Sequence, residues 1–256
     1  MEYRNLIVGC KSHVARITIN HPPANTWDLA TVLEFEAAVL AVESDPNVRA
    51  VVISGAGDTC FSAGFDVKDA RNAAQIGETA RRLWTRIDRF PKPVIAAING
   101  HAMGGGLELA IACHFRLAAD RAGIKLGLTE LNIGIMPAWG GTQRLPRLVG
   151  DARALRMILF STTVAPVEAF EIGLVDFLCQ PEEFEDRIEE LSQRLAERPP
   201  IAVRCTLEAL SAGRYEGLEQ GLLAEARGSA LLRDTEDRQE GFRAFLEKRQ
   251  PRFVGR

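Results

Sequence analysis

Twice in its first hundred residues the chain runs through a short, almost wholly apolar segment and then meets glycine. Arg49–Ser54 (RAVVIS) precedes Gly55-Ala56-Gly57, and Val94–Ile98 (VIAAI) precedes Asn99-Gly100. A strand with one face in water alternates polar and apolar residues. A strand without that alternation is covered on both faces and belongs to a parallel sheet flanked by helices. Helical stretches follow both runs, one reaching about Phe90 before the breaker Pro91-Lys92-Pro93 and one around Leu107–Cys113, with a further strand at Phe115–Ala118. This alternation predicts an α/β domain with largely parallel strands. Ahead of it, Leu6–Val8 and Val14–Ile19 read as a hairpin about a Gly-Cys-Lys-Ser turn. A helix is expected over Asp28–Glu43, with Leu29, Val32, Leu33, Glu36, Leu40 and Glu43 on a mixed face and Pro46 as its stop.

From about Glu182 the texture changes. Glu183–Glu197, Ile201–Ala212, Gly217–Leu232 and Glu236–Arg249 read as successive helices, with Pro199-Pro200 as a joint. The boundary near residues 196–200 divides an α/β core over 1–197 from a helical region over 198–256. A chain of 256 residues buries roughly 70–75% of its unfolded surface and needs no disulfide or metal staple. Lys and Arg number 31 against 34 Asp and Glu, a net charge of −3, so no global positive field gathers nucleic acid. Apolar stretches such as Leu131–Trp139 are too short or interrupted for a membrane span. The opening MEYRNLIVGC lacks the basic and apolar regions of a secretion signal. Five scattered cysteines (Cys10, Cys60, Cys113, Cys179, Cys205) without a CxxC pair favour a reducing compartment and argue against a metal cluster. The four histidines (His13, His21, His101, His114) have no metal-ligand spacing and read as structural or surface residues. A cytoplasmic globular protein without a metal is the expectation.

The densest chemical signal is Asn99-Gly100-His101-Ala102-Met103-Gly104-Gly105-Gly106-Leu107-Glu108. Consecutive glycines between strand and helix cost backbone entropy and supply no packing. They serve either a tight turn that lets helix and strand approach, or backbone amides turned toward an anion or a developing oxyanion. Glu108 is the one polar side chain in the run Leu107–Cys113. A first-turn acid complements the helix dipole, yet an ionised carboxylate in apolar surroundings is expensive unless paired or hydrogen-bonded. Glu130 repeats the pattern in Lys125–Leu131, ahead of the glycine-containing loop Asn132–Gly141; read alone, it is an edge-of-strand charge. Paired carboxyls in a desolvated cleft can hold different protonation states, one as base and one as acid. The segment Cys60-Phe61-Ser62-Ala63-Gly64-Phe65-Asp66 is either a surface turn or a second backbone donor at a strand end, where open α/β sheets bind ligands. A dinucleotide fingerprint at Gly55-Ala56-Gly57 fails because position 60 is Cys, and no P-loop or GxSxG motif occurs.

These residues resemble the enoyl-CoA hydratase/isomerase superfamily, often called crotonases, over nearly the whole chain from Pro22–Asn25 to the C-terminus. The motifs are FSAGFD (61–66), PKPVIAAINGHAMGGGLELA (91–110), GLTELNIGIMPAWGGTQRL (127–145), GLVD (173–176) and EGFRAFLEKR (240–249). The resemblance implies an α/β spiral of ββα units with a C-terminal helical trimerisation region, in homotrimers or dimers of trimers. It implies an acyl-CoA thioester as substrate, with coenzyme A part of that substrate and no metal or redox cofactor. By similarity the backbone N–H groups of Phe65 and Gly105 form an oxyanion hole, the Phe65 side chain standing where hydratases more often carry Ala. Glu108 and Glu130 match the catalytic pair, with Glu108 mainly the base for the added water and Glu130 the donor of a proton to the α-carbon. Ala24, Ser62, Ala63, Phe65, Asp66, Val67 and Lys68 correspond to a stretch along CoA, and Phe245 and Lys248 to a pair that reaches CoA on a neighbouring subunit. Without that role Phe245 is a helix core residue and Lys248 a solvated charge. His101, Ala138 and Trp139 fall at the acyl pocket and water loop.

Departures from the pattern are Arg121–Lys125, which looks like a small insertion, Thr129 in place of Pro, and Trp139 in a loop of small residues, where it narrows the acyl pocket. The expected reaction is reversible syn hydration of a trans-2-enoyl-CoA. An isomerase or thioester hydrolase on the same scaffold, or a non-catalytic acyl-CoA- or RNA-binding relative, is the alternative. RNA is disfavoured by the net charge and by Glu34, Glu36, Glu43 and Asp45 of the first helix.

Overall fold

A computed structural model describes residues 3–256. Strand β1 (Leu6–Lys11) pairs antiparallel with β2 (Val14–Ile19), from Leu6 opposite Ile19 to Lys11 opposite Val14. The strand therefore runs through most of the expected Gly-Cys-Lys-Ser turn. The reversal falls instead on Ser12 and His13, at φ 50° and 67°, the left-handed pair whose twist suits a two-residue hairpin. A short β3 (Thr26–Trp27) leads into α1 (Leu29–Ser44), capped by the Asp28 carboxylate, which accepts from the Thr31 amide at 2.7 Å. The buried face of α1 is Val32, Phe35, Ala38, Val39 and Val42, whereas Leu33 and Leu40, expected on that face, are exposed. Phe35 decides the rotation, because its ring packs edge-on against Trp27 with centroids 5.1 Å apart. Glu36 and Glu43 then point at α2 (Ala73–Asp88), where they accept from Arg82 and Arg86 at 2.5 and 2.6 Å.

After α1 the chain repeats one pattern. It passes through β4 (Ala50–Gly55), β5 (Cys60–Ser62), β6 (Gly64–Phe65), a 3-10 turn at Val67–Asn72, and α2. Then come β7 (Val94–Ile98), β8 (His101–Met103) and α3 (Gly105–Ala110), followed by β9 (Phe115–Ala119), β10 (Leu126–Gly127), a 3-10 turn at Glu130–Ile133 and α4 (Gly141–Val149). The first strand of each round joins a six-stranded sheet, β1-β2-β4-β7-β9-β11, completed by β11 (Phe177–Cys179) and parallel from β2 onward. The second strand joins a smaller parallel sheet, β10-β8-β5, and β3 pairs with β6 alone. This is the spiral of ββα units. Val51, Ile53, Val94, Ala96 and Ile98 face the main core. Val52, Ile95, Ala97 and Leu117 face the other side, against Phe184 and Ile188 of α7 (Phe184–Ala196). The unbroken apolar runs are thus covered on both faces.

Helices begin well before Glu182: α4, α5 (Asp151–Leu159) and α6 (Pro166–Glu171) precede β11. They are short, and α4 carries Pro146 internally, a residue that reads in sequence as a helix breaker. Beyond α7 come α8 (Pro200–Glu216), α9 (Leu218–Leu232) and α10 (Glu236–Leu246). Among the described residues no helix is long and apolar enough to cross a membrane.

Candidate active site

The site is assembled where three loops converge. Helix α3 starts at Gly105, two residues earlier than expected, because Gly104 turns the chain at φ 52° and ψ −128°, a conformation closed to side chains. A Cβ on Gly105 would lie 2.2 Å from the Trp139 ring, so the indole rests directly on the start of α3. A Cβ on Gly64 would lie 2.8 Å from the Gly105 nitrogen, which brings the segment carrying Phe65 against the same point. These contacts are the close approach of strand, helix and loop that the first reading of the glycine run expects.

Phe65, Gly105, Glu108, Glu130, Ala138 and Trp139 line one cavity of about 760 Å³. Ala63, Ala73, Gly77, Ile133 and Met136 supply further wall, most of it apolar. Such a pocket, with a few convergent polar groups, is the usual form of a small-molecule site. A larger groove of about 900 Å³ runs between α8, α9 and α10, and neither acid lines it.

Glu108 is 2% exposed. Its Oε1 accepts from the Trp139 amide at 2.8 Å and the Gly141 amide at 2.7 Å. Burial pushes its carboxyl up to about 7; the Gly141 and Trp139 amides and the Arg144 guanidinium oppose the rise, and the Glu130 carboxylate adds to it. Glu130 opens the 3-10 turn after β10, and burial raises its carboxyl as well. Its Oε2 is buried without a hydrogen-bond partner, and a Cβ on Gly104 would lie 3.0 Å from its Oε1. Both carboxyls thus line one cavity, and burial raises both.

Other expected residues take different positions. The Ala24 carbonyl accepts from the Ala63 amide at 2.9 Å, tying the start of β3 to the FSAGFD segment. Ser62 is wholly buried, its hydroxyl donating to the Asn25 carbonyl at 2.7 Å and accepting from the Gly64 amide at 3.2 Å. Those bonds withdraw the Ser62 side chain from a ligand and leave only its backbone. Asp66 caps the 3-10 turn by accepting from the Lys68 amide at 2.9 Å; Val67 and Lys68 are exposed, and none of the three lines the cavity. His101 does not line the cavity. Its Nδ1 accepts from the Lys125 amide at 3.0 Å and joins β8 to the approach to β10, the structural role its spacing allowed. Phe245 is 83% exposed rather than a core residue, and neither it nor Lys248 lines the cavity of its own chain.

Sequence reasoning missed Asp88 and Arg144, a buried pair bonded at 2.8 Å behind the 137–141 loop. The signal was present: Asp88 falls on the same stripe of α2 as Ile76, Ala80, Leu83, Trp84 and Ile87, where an acid requires a partner.

Comparison with known proteins gives a consistent result. A sequence profile described as enoyl-CoA hydratase/isomerase matches residues 9–256. The chain is 39% identical to a crotonyl-CoA hydratase of Syntrophomonas wolfei over 262 aligned positions, covering 100% of both chains. It is 42% identical to a probable enoyl-CoA hydratase of Bacillus subtilis, covering 94% of this chain and 95% of the relative. The crystal structure of an enoyl-CoA hydratase from Bacillus anthracis superposes with a TM-score of 0.94 at 38% identity, covering 99% and 100% of the two chains.

Proposed function

The chain belongs to the enoyl-CoA hydratase/isomerase family, and on that premise we propose that it is an enoyl-CoA hydratase, adding water reversibly across the double bond of a trans-2-enoyl-CoA. The observation that carries the reading is the pair of buried carboxyls, Glu108 and Glu130, opening into one apolar cavity beside the glycine backbone of α3.

The thioester oxygen accepts from the backbone N–H groups of Phe65 and Gly105. Those donors favour the enolate that forms as charge moves onto this oxygen, and one such donor is worth about 10²–10³ in rate. Water lies between the acids. Ionised Glu108 removes a proton from it as its oxygen bonds to the β-carbon, and protonated Glu130 gives a proton to the α-carbon. Proton and hydroxyl enter from the acid-lined face, which gives syn addition. The two acids exchange protonation states, and a proton transfer back resets them. Backbone donors and two carboxyls suffice for this chemistry, so no metal or redox cofactor enters it.

Coenzyme A lies along Ala24, Ala63, Phe65, Asp66, Val67 and Lys68, with Ser62 contributing backbone alone. The acyl chain passes Ala138 and Trp139. The exposed Leu210, Leu222, Leu223 and Leu231 of α8 and α9, beside the groove of about 900 Å³, support assembly into homotrimers or dimers of trimers. In that assembly Phe245 and Lys248 reach CoA on a neighbouring copy. The free cysteines, four of them buried, suit a reducing cytoplasm.

The test follows the loss of the conjugated enoyl-thioester absorbance with crotonyl-CoA and longer homologues. Glu108→Gln and Glu130→Gln should each lower turnover by about 10²–10⁴ while CoA affinity is retained. Wild-type turnover in either variant would remove that residue from the mechanism. Isomerisation of a 3-enoyl-CoA, or release of free thiol, in the absence of hydration would reassign the reaction.

A further inference from the structure

The two amides that hold Glu108 belong to a loop whose other side rests on buried charge. Arg144, on α4, donates from Nη1 to the Trp139 carbonyl at 3.1 Å and from Nε to Asp88 Oδ2 at 2.8 Å. Its Nη2 reaches the Thr85 hydroxyl at 3.4 Å. The side chains of Arg144 and Asp88 are 10% and 5% exposed. Asp88, at the end of α2, also receives Arg214 Nη1 at 3.3 Å and the Tyr215 hydroxyl, both from α8. The guanidinium groups of Arg89 and Arg147 each lie over the Tyr215 ring, 4.7 and 4.9 Å from its centroid. Gly140 completes the contact: at φ 112° its missing Cβ would lie 1.8 Å from Arg144 Nη1, so the loop presses on the guanidinium.

A buried ion pair is poor evidence of stability, because desolvation cancels much of its attraction and an apolar pair of similar size often does as well. Geometry is what such a pair can supply. One planar guanidinium meets a carboxylate and a carbonyl at fixed angles, and the carbonyl it meets belongs to the residue whose amide bonds Glu108. We infer that Asp88 and Arg144 are positioning residues for Glu108: locked together across α2 and α4, they hold the Trp139 carbonyl so that the Trp139 and Gly141 amides face Glu108 Oε1. The turnover arm of its test rests on the proposed hydratase reading; the titration arm does not.

The charged groups around the network separate geometry from electrostatics. Glu108 is faced by Glu130 and Arg144. Asp88 is faced by Arg144, Arg214 and Tyr215, and in the apolar interior by Cys113 and by His114, which burial holds neutral with its titration near 4. Arg144→Lys preserves every one of these charges. A lysine has a single ammonium and cannot bond Asp88 and the Trp139 carbonyl in the arginine's geometry.

The experiment titrates the Glu108 carboxyl by ¹³C NMR in the full-length, ligand-free protein, with the signal assigned by its loss in Glu108→Gln. In the wild type the midpoint should lie near 7. In Arg144→Lys it should rise by about one pH unit, the effect of weakening one hydrogen bond to a charged acceptor. The kcat for crotonyl-CoA should fall about 10- to 100-fold with KM nearly unchanged. Should Arg144→Lys not fold, Tyr215→Phe removes one donor from Asp88 without changing charge, and the midpoint should rise by a smaller amount. A midpoint that stays in place or falls in the folded variant overturns the inference, since a purely structural role lowers melting temperature without moving it. If the wild type does not hydrate enoyl thioesters while the midpoint still rises, the functional reading falls and the positioning of Glu108 stands.

Discussion

Replacing Glu108 by Gln should stabilise the protein at alkaline pH and leave its stability nearly unchanged in acid. The folded state lifts this carboxyl from an ordinary 4.5 to about 7, chiefly because burial disfavours its charge. A titration raised in the folded state contributes stability that is fully present below about 4.5 and is lost as the pH climbs through about 7. Above neutrality the wild type therefore carries a charge in an apolar wall at a cost of roughly 3 kcal/mol. Glutamine carries none. It also fits, because Oε1 alone takes the Trp139 and Gly141 amides, so the amide oxygen can occupy that position and the NH₂ the other. At about 2–4 °C per kcal/mol for a chain of this size, Glu108→Gln should melt roughly 6–12 °C above the wild type at pH 9. The gap should close between pH 7 and 4.5. Thermal melts followed by circular dichroism at one protein concentration, from pH 4.5 to 9, measure it. A difference that is constant with pH, or a variant that melts below the wild type at pH 9, would show that the two amides outweigh burial and that the carboxylate is at ease in its ionised form.

Gly105→Ala places a methyl group 2.2 Å from the Trp139 ring; overpacking of this kind costs about 1–3 kcal/mol, and displacement of the indole should lower hydration by about 100-fold or more. Adding Trp139→Ala should recover much of the lost stability, and additive effects in the double variant would contradict the contact. Trp139→Ala alone should raise kcat/KM for longer enoyl chains relative to crotonyl-CoA, and an unchanged ratio would remove Trp139 from the acyl wall.

The parts legible in the sequence were those where a residue disagrees with its surroundings. Val94–Ile98 has no polar face, so it had to be covered twice. Glu108 and Glu130 are acids set in apolar runs, and burial is what raises both. The face of α1 was misplaced because Leu33 and Leu40 have the right periodicity, yet one aromatic, Phe35, fixes which stripe faces Trp27. The hairpin turn was misplaced because strand pairing continued to Lys11. Motif position could not show that the Ser62 hydroxyl is engaged by Asn25 and Gly64, or that His101 faces residue 125. Least visible was Asp88–Arg144. Its members stand 56 residues apart, and no local pattern connects the end of one helix to the first turns of another.

The protein has three tryptophans, and they form one contiguous stack. Trp27 lies 5.1 Å from Trp84, and Trp84 lies 5.7 Å from Trp139, each pair edge to face. Only the last of them borders the cavity. At such separations an excited indole hands its energy to its neighbours within its lifetime, so the two interior rings emit in part through the one at the cavity wall. The chain therefore contains its own optical reporter. A conjugated thioester arriving beside Trp139 should dim the emission of the whole stack.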